Sequence, residues 1–491
     1  MKRSCLLIVL TALLASCNHN DSLVIDYPED SVAIAAPDFV ALVDGSFSIN
    51  GEYWFPVMLN YKAEIRHVGD SLEVVPASYY HGNDMRQHFD TIAAWGFNAI
   101  RLCLDVLDGD MDSAAMFRAT RRAIQRADSA GLHVMLLIKT PFEPYWQSYT
   151  KGLLRTLADL PALWAYDFMN EPLYFDPEPS RDKLDAVRLA AEWRHWVRTY
   201  APHQLFTIAT SEPIEVFEWD PSMLPVDFIQ MHTYHPLRVM SEMWWYSHYC
   251  NKPWMIGETG LPADNDSVPY EWQWHFFYST FDRAHYLGAI GFGWWEFQDN
   301  PNGVNFEAQY TGLSDTSGKA KPAADAVMGP YCFSCYYTDE ELRPTNYYNM
   351  LDYRNICLTG QIVDKNSGLP VEGAVIRGWN DDWSVGMNTF SDSNGRFTLY
   401  SNDFNTHFEI SAPGMSHLKF NRKNLKYKNI DGIDEKNLPD RSREYQQIDY
   451  RQYITFDSDS LDIYLFPFGP YGFSRYHLSA DMGKIKLSKI R

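Results

Sequence analysis

The sequence predicts an α/β protein in which a (β/α)8 barrel, also called a TIM barrel, is followed by a small all-β sandwich. Continuously apolar strand candidates alternate with helical segments between residues 55 and 295, and this alternation indicates a parallel sheet covered on both faces. Eight such units, spaced by roughly 30–45 residues, favour a closed barrel over an open sheet. From residue 356 onward, short strand candidates separated by turns with Asn and Gly are typical of a sandwich.

The composition limits the classes of function that the chain can have. Its 491 residues suggest two or three domains, and a hydrophobic content of 46% supports a large core. Aromatic residues make up 15% of the chain, and they either pack in this core or form platforms on which sugars stack. The formal net charge of −21 disfavours binding to nucleic-acid phosphates. We expect no metal or other cofactor, no nucleic acid and no obligate protein partner.

The first seventeen residues predict export. Lys2 and Arg3 form a short basic start, and the apolar run of residues 6–15 is too short to span a membrane. The run ends at Ala15-Ser16-Cys17, which resembles the cleavage site of a bacterial lipoprotein. The resemblance implies a lipid anchor on Cys17 and a place in the cell envelope, on the periplasmic or outer-surface side. An ordinary secretory signal cut nearby is the alternative.

Shifts in composition divide the chain into segments. The predicted segments are a lipoprotein signal peptide (1–17), a tether (18–37), the barrel (38–329), a connector (330–355), the sandwich (356–470) and a basic, solvated tail (471–491). Five cysteines follow Cys17, an odd number that implies no complete disulfide framework. We interpret Cys332-x-x-Cys335 as thiols or a local disulfide without a catalytic role. The others are Cys103, Cys250 and Cys357.

Each barrel element follows from an apolar run and the residues that end it. Asn50-Gly51 between apolar residues predicts a hairpin, and residues 55–60 form the first strand candidate. We expect a long loop over residues 62–83, functional or mobile. Gly131 stops the second helix. Helices are predicted at residues 84–95, 113–130 and 184–200, and strands two to eight at residues 98–104, 132–138, 163–169, 204–210, 226–233, 253–258 and 289–295.

Two of these strands end in a glutamate. Glu171 follows the fourth strand and precedes Pro172, which cannot continue a β-ladder, and Glu258 ends the seventh strand. The two glutamates are 87 residues apart, close to the roughly 90 residues of three βα units. Strands four and seven face each other across a barrel, so the two carboxylates can flank one bond, as retaining glycoside hydrolysis requires. We interpret Glu212-Pro213, after strand five, as a helix cap.

Several further motifs resemble family 5 of the clan A glycoside hydrolases, over about residues 45–327. The likeness rests on Asn170-Glu171-Pro172 and Gly257-Glu258 together with His232-Thr233-Tyr234 and residues 96–102, 293–296, 312–315 and 319–323. One such motif is a weak signal, whereas the whole series in the right order on the right strands is a strong one. Residues 360–412 are similar to carboxypeptidase-regulatory-like β-sandwich domains, which are usually accessory.

The resemblance implies a role for each strand-end residue. Glu171 would be the acid/base and Glu258 the nucleophile. Glu171 must hold a proton at rest, so we expect burial and the charge of Glu258 to raise its pKa. The implied partners are Arg101 beside Glu258, Asn170 at the sugar 2-OH, His232 at the sugar or the acid, Tyr234 donating to Glu258, and Trp295 as the floor under the reacting sugar.

These assignments have simpler alternatives. Arg101 could pair with Asp105, and His232 could be a core histidine. Trp294 and Trp295 are adjacent, so one faces the core and the other the site, and we assign the site to Trp295. Further subsite candidates are Tyr61, His81 and Glu296.

We therefore expect a retaining β-glycosidase acting on a β-mannan or a β-glucan, a substrate class that only the family resemblance implies. Residues 138–141 after strand three depart from the family pattern, and Lys139 there either contacts a hydroxyl or acidic group of the substrate or is solvated. Two rival functions stay open: a glycan-binding barrel that has lost turnover, and a transglycosidase with the same site.

Overall fold

A computed structural model describes residues 33–105, 112–234, 238–328, 356–381, 386–401, 404–422, 425–429, 455–456, 463–464 and 478–490. The predicted signal peptide with Cys17, most of the tether, and the connector with Cys332 and Cys335 lie outside these residues. The described cysteines, Cys103, Cys250 and Cys357, are buried free thiols.

A small antiparallel sheet closes the amino-terminal end of the barrel. It consists of β1 (Val40–Val43), β2 (Ser46–Ile49) and β3 (Glu52–Tyr53). Asn50 and Gly51 form the β2–β3 turn with φ of 54° and 82°, the left-handed conformation that a two-residue hairpin requires, so the predicted hairpin is confirmed. Phe47 is fully buried, and its ring lies edge-on to Trp164 at 5.1 Å and to Phe228 at 5.0 Å between centroids.

Eight parallel strands close into the predicted barrel, which confirms the fold class. Each strand pairs with the next, and the last pairs with the first at Gly293 opposite Met58. An additional strand, β5 (Ser71–Pro76), pairs antiparallel with the first. The barrel strands are β4 (Val57–Val68), β6 (Ala99–Asp105), β7 (His133–Leu137), β8 (Leu163–Asn170), β9 (Leu205–Thr210), β10 (Ile229–His232), β11 (Trp254–Glu258) and β12 (Phe292–Trp294).

Helices cover the outside of the barrel. Asp84, Asp112 and Asp182 begin three of them, because each side chain accepts a backbone N–H of the first turn. None of the helices in the described ranges is long and apolar enough to cross a membrane. They are α1 (Met85–Ala94), α2 (Ser113–Ser129), α3 (Pro144–Leu157), α4 (Pro172–Phe175), α5 (Lys183–Tyr200), α6 (Val239–Tyr249), α7 (Tyr270–Tyr286) and α8 (Phe306–Tyr310), with 3₁₀ helices at Pro213–Phe217 and Pro322–Met328.

The long loop predicted at residues 62–83 is wrong. β4 runs on to Val68, turns at Gly69 and returns as β5, from Val68 opposite Ser71 to Ala63 opposite Pro76. Side chains in β5 alternate between exposed or half-buried and buried positions, the pattern of a strand with one face on the core. The hairpin delivers residues 79–81 to the end of β12.

The C-terminal region forms two packed four-stranded sheets, with strand orders β16-β13-β22-β19 and β15-β14-β17-β18. The strands are β13 (Ile356–Asp364), β14 (Val375–Trp379), β15 (Gly386–Phe390), β16 (Arg396–Ser401), β17 (His407–Ser411), β18 (Leu418–Asn421), β19 (Lys428–Asn429) and β22 (Leu478–Leu487), with the short pair β20 (Thr455–Phe456) and β21 (Ile463–Tyr464) outside these sheets.

The solvated basic tail predicted at residues 471–491 is wrong for the described part of that segment, residues 478–490. Residues 478–487 form β22, which runs parallel to β13 in the middle of its sheet. Ile485 and Leu487 are buried in the sandwich core, whereas Lys484 and Lys486, which alternate with them, are exposed. This alternation is that of a strand with one face on the core and the other exposed to water. In the sequence, the basic residues of this segment concealed the strand.

The sandwich is attached to the barrel by buried polar contacts. Lys183 Nζ lies 2.8 Å from Asp220 Oδ2 and donates to the carbonyl of Ala412 in the sandwich at 3.2 Å. Asp220 Oδ2 also accepts the backbone N–H of Gly414 at 2.9 Å. The indole of Trp245 in α6 donates to the carbonyl of Gly373 at 2.8 Å. The three hydrogen bonds to Ala412, Gly414 and Gly373 form only when the two domains are docked.

Candidate active site

The two strand-end glutamates meet at the carboxyl-terminal rim of the barrel. Glu171 follows β8, and Glu258 is the last residue of β11. One oxygen of each carboxylate and a ring nitrogen of His232 lie within 4.8 Å of one another. The two carboxyl groups are therefore close enough to act on one substrate bond.

Glu171 has an uncommon backbone conformation. Its φ of 43° and ψ of 75° lie in the left-handed region, which costs a residue with a Cβ roughly 1 kcal/mol or more. The backbone N–H still extends the sheet by donating to Ala209 at 2.8 Å. Pro172 then starts α4, because proline has no N–H to leave unpaired at a helix start. This sharp turn lets the chain leave the strand while the Glu171 side chain stays in the mouth of the barrel.

Burial changes the protonation of Glu171 and of its partner. Glu171 Oε1 lies 2.8 Å from Nδ1 of His232. Burial raises the pKa of Glu171 to about 7, against the charge of Arg101, and the carboxylates of Glu212 and Asp167 raise it further. Burial lowers the pKa of His232 to about 4, so the imidazole is neutral at neutral pH. We expected burial to raise the pKa of Glu171, and it does. We expected the charge of Glu258 to add to this effect, but the carboxylates that add to it are those of Glu212 and Asp167.

Glu258 is held by two donors, one on each oxygen. Arg101 Nη1 donates to Oε1, and the hydroxyl of Tyr234 donates to Oε2. The carboxylate is 5% exposed, so these donors rather than water stabilise a negative charge there. The alternative partner of Arg101 lies elsewhere, since the Asp105 carboxylate is 3.9 Å from the amino group of Lys62.

Arg101 is the centre of a buried network. Nε donates to Asp167 Oδ2 at 2.9 Å, Nη1 to Asn60 Oδ1 at 3.1 Å, and Nη2 to Asn170 Oδ1 at 2.8 Å. Arg101 and Asp167 are both fully buried. Burial opposes the guanidinium charge, but Asp167 and Glu258 outweigh it and raise the pKa of Arg101.

Sequence reasoning missed Asp167 and Asn60. Asp167 was visible as the single charged residue in the apolar strand LWAYDFM, where an unpaired carboxylate would be costly to bury. Asn60 lies in β4, and its amide donates to the carbonyls of Gly257 at 2.9 Å and Trp294 at 3.0 Å. It therefore ties β4 to the ends of β11 and β12.

Gln230, also missed, connects this network to the acid. Its amide nitrogen donates to Asp167 Oδ2 at 2.8 Å and lies 3.5 Å from Nε2 of His232. An amide donor facing Nε2 favours the tautomer in which His232 carries its proton on Nδ1, towards Glu171. Gly257 makes room for this side chain, because a Cβ there would lie 2.2 Å from Cγ of Gln230.

The adjacent tryptophans separate as expected. Trp294 is fully buried, and its indole donates to the carbonyl of Thr311 at 3.0 Å. Trp295 is half-buried and lines a cavity of about 850 Å³ together with both glutamates. The cavity extends from Glu171 and Glu258 towards the ends of β6, β7 and β8. Residues that line it there include Leu104, Lys139, Phe142, Trp146 and Phe175.

The remaining sequence candidates are placed away from the open cavity. Tyr61 is fully buried and bonded to His88 at 2.7 Å. Glu296 is buried and accepts the hydroxyls of Tyr79 at 2.7 Å and Tyr80 at 2.9 Å. His81 is exposed, and its backbone N–H donates to the side chain of Gln298.

The interpretation of Glu212 as a helix cap is wrong. Its carboxylate pairs with Arg238 at 2.6 Å instead of accepting an N–H of the 3₁₀ helix. Glu215, inside that helix, instead accepts the backbone N–H groups of Leu173 and Ser211. The Glu212–Arg238 pair lies near Glu171, whose pKa the Glu212 charge helps to raise.

Among the described residues, Glu171, His232 and Glu258 are close enough together to be metal ligands. The donor set does not suit a cation, because Arg101 and Tyr234 already donate to the two oxygens of Glu258. A guanidinium charge at this position would repel a metal ion. The arrangement instead provides two carboxyl groups that line the same cavity, one with a pKa raised by burial and one held by two hydrogen-bond donors.

No protein-family model matches the chain, and no curated protein is significantly similar to it in sequence. Among solved structures, the chain is similar to the exo-beta-1,4-mannosidase Op5Man5 from Opitutaceae bacterium strain TAV5, at 14% identity over 77% of this chain and 90% of that one, with a TM-score of 0.47. It is also similar to GH5_18 from Streptomyces cattleya in complex with GlcNAc, at 18% identity over 58% and 79% of the two chains, with a TM-score of 0.43.

A third similar structure is the glycoside hydrolase family 5 mannosidase from Rhizomucor miehei, at 11% identity over 59% and 96% of the two chains, with a TM-score of 0.42. These neighbours are glycoside hydrolases. All three TM-scores are below 0.5.

Proposed function

We propose that the protein is a retaining β-glycoside hydrolase with Glu171 as acid/base and Glu258 as nucleophile. The observation that carries the proposal is the contrast between two carboxyl groups whose oxygens approach within 4.8 Å. Burial keeps a proton on one near neutral pH, and two donors stabilise the charge of the other. Two carboxyl groups kept in different protonation states are what acid-assisted displacement requires.

In the first step, a Glu258 oxygen attacks the anomeric carbon and the bond to the leaving-group oxygen breaks. Glu171 transfers its proton to that oxygen as it leaves. Because His232 Nδ1 lies at Oε1 of Glu171, the acid proton occupies Oε2. Asn170, held by Arg101 at 2.8 Å, has its amide nitrogen available to donate to the sugar next to the reacting carbon.

In the second step, water takes the place of the leaving group. Glu171, now ionised, accepts a proton from the water while the water oxygen attacks the anomeric carbon and releases Glu258. His232 Nδ1–H stabilises the ionised form of Glu171 between the two steps. The product keeps the configuration of the substrate because the anomeric carbon is inverted twice.

The cavity supports a neutral sugar chain as the substrate. Its volume of about 850 Å³ is at the upper end of the range for ligand sites. Trp295 lines the cavity at the glutamates, and Trp146 and Phe175 line it further along, on the side of Glu171. Apolar rings of this kind bind the faces of pyranose rings. We propose β-mannan or β-glucan as the substrate class.

The test is hydrolysis of β-mannan, β-glucan and xylan, and of oligosaccharides from each, by the chain from residue 18 onward. We expect one glycan to be cut with retention, and Glu258→Ala to lower the rate at least about 10³-fold. Azide should restore turnover of Glu258→Ala on an activated glycoside and give the glycosyl azide of inverted configuration. Binding of one glycan without cleavage, equal in wild type and Glu258→Ala, would favour a glycan-binding barrel instead. Longer products at high substrate concentration would favour a transglycosidase.

We also propose that the protein is exported and anchored by a lipid on Cys17, which lies outside the described residues. The support is the sequence of residues 1–17 alone. When the full chain is produced in a bacterium that processes lipoproteins, it should fractionate with membranes and incorporate labelled palmitate, whereas Cys17→Ser should do neither. Equal labelling of the two forms would contradict the anchor.

A further inference from the structure

The turn that carries Glu171 is held by a second glutamate. α4 follows Glu171 directly, and its first residue, Pro172, has no N–H. The first N–H of the helix therefore belongs to Leu173, and it donates to Oε1 of Glu215 at 3.1 Å. The next two amides, of Tyr174 and Phe175, donate back to the carbonyl of Glu171 at 2.9 and 3.1 Å.

Glu215 caps the N-terminus of α4, a role that usually belongs to the residue directly before the helix. A residue at that position normally caps its own helix with its side chain. Glu171 occupies the position, but its carboxylate is directed at His232 and is needed in the cavity. Glu215 supplies the missing acceptor from the next βα loop, which leaves the Glu171 side chain available for chemistry.

The Glu215 carboxyl group is itself held in place. It is 2% exposed, and the same Oε1 also accepts the backbone N–H of Ser211 at 3.2 Å and its hydroxyl at 3.0 Å. Burial raises the pKa of Glu215 to about 8, against these hydrogen bonds. The group is therefore mostly uncharged at neutral pH, and an amide would be a close mimic of it.

The segment that carries Glu215 is fixed from the other side by the sandwich. Glu215 belongs to the Pro213–Phe217 3₁₀ helix, whose last residue, Phe217, is buried and stacks on the ring of His417 at 5.2 Å and 18°. Three residues further along, Asp220 accepts the N–H of Gly414. Both partners lie in one segment of the sandwich, between β17 and β18, so the sandwich packs directly against the segment that carries Glu215.

We propose that Glu215 is a positioning residue that fixes the Glu171 turn, and that the sandwich domain supports it through Phe217 and Asp220. The proposal rests on the proposed function, because it concerns the acid of that reaction. It assigns the sandwich a part in the geometry of the active site. A small error in the placement of a catalytic group can cost about 10²-fold in rate, so the loss should appear in the step that needs the acid.

The experiment compares aryl glycosides with good and poor leaving groups. A dinitrophenol leaves without a proton, whereas an unactivated phenol needs one, so the ratio of their kcat/KM values reports on the acid. We expect Glu215→Ala to lower kcat/KM for the phenyl glycoside about 10–100-fold and for the dinitrophenyl glycoside less than about threefold. Glu215→Gln keeps an acceptor oxygen in place and should stay within about threefold of the wild type on both.

Asp227→Ala is the matched control for lost stability. Asp227 also accepts a backbone N–H, that of Phe206 at 2.7 Å, but at the opposite end of the barrel, where it pairs with Arg198. Asp227→Ala should lower stability and leave the ratio of the kcat/KM values for the two glycosides unchanged. Glu215→Asp, which shortens the reach by one methylene, serves if the alanine variant does not fold, and should change the ratio in the same direction.

Two results would be decisive against the proposal or its premise. If Glu215→Ala, or Glu215→Asp in its place, lowers kcat/KM equally for both glycosides, Glu215 only stabilises the fold and the positioning role is wrong. If Glu171→Gln fails to discriminate between the leaving groups, Glu171 is not the acid, and it is the proposed function that fails, whatever the Glu215 variants do.

Discussion

Nδ1 of His232 lies 2.8 Å from Oε1 of Glu171, and burial shifts the two groups in opposite directions. The pKa of Glu171 is raised to about 7, and that of His232 is lowered to about 4. Between these values both groups are uncharged. The pair therefore keeps a proton on the acid without placing a positive charge beside it.

This relationship predicts the pH dependence of activity. Since the proton of Glu171 is needed, kcat/KM should fall as the pH rises through about 7, and His232 should add no step between pH 5 and 8. Glu171→Gln should lose most of the activity on unactivated substrates, and the residual activity should lack the fall near pH 7. A fall of the same midpoint in Glu171→Gln would mean that another group titrates. The measurement is kcat/KM from pH 4.5 to 9.

The buried pairing of Arg101 with Asp167 predicts a large stability effect. Asp167→Ala leaves the guanidinium with one carboxylate partner fewer in a fully buried site, and should lower the free energy of unfolding by about 3–5 kcal/mol. Asp167→Asn keeps the shape and one acceptor and should lose less. Asp159→Ala removes an exposed partner of Arg121 and should cost about 1 kcal/mol or less. Urea unfolding measures all three, and equal losses in Asp167→Ala and Asp159→Ala would contradict the buried network.

The contact between Gly257 and Gln230 predicts a steric requirement for glycine. Gly257→Ala places a Cβ 2.2 Å from Cγ of Gln230, which should destabilise the barrel by about 1–3 kcal/mol and displace the neighbouring Glu258. The double variant Gly257→Ala/Gln230→Ala removes the clash, so it should lose less stability than the two single variants together. Strict additivity would show that the two side chains do not compete for the same space.

The burial of Glu296 predicts a change of stability with pH. Burial raises its pKa from 4.5 to about 7, in spite of the hydroxyls of Tyr79 and Tyr80. The folded state therefore holds the proton more tightly, and stability falls as the pH rises from about 4.5 to about 7. Glu296→Gln cannot ionise, so its stability relative to the wild type should increase by roughly 2–4 kcal/mol between pH 5 and pH 8.

Urea unfolding at the two pH values tests this prediction, with Glu271→Gln, an exposed glutamate in α7, as the control. The control should differ from the wild type by the same amount at both values. If Glu296→Gln behaves like the control, Glu296 is already charged in the folded protein.

The barrel strands were predictable because each is a short apolar run that ends at a polar residue. The same rule failed for β5 and β22. In β5 the alternation covers only six residues, and in β22 it is interrupted at Gly483 and Lys484, which are both exposed. β5 pairs with β4 directly before it, whereas β22 gains its stability from β13, more than a hundred residues earlier. Such distant pairing leaves little trace in a local pattern.

By itself, the sequence determined the fold class and the two glutamates that face each other across the barrel, because strand order in a closed parallel barrel follows chain order and sets which strand ends are opposite. Only the tertiary structure decided which polar groups surround them. Asp167 in β8 and Gln230 in β10 meet inside the barrel, and Glu215 reaches the Glu171 turn from another loop. Those contacts depend on side-chain direction and on burial, which arise only when the strands are assembled and water is excluded.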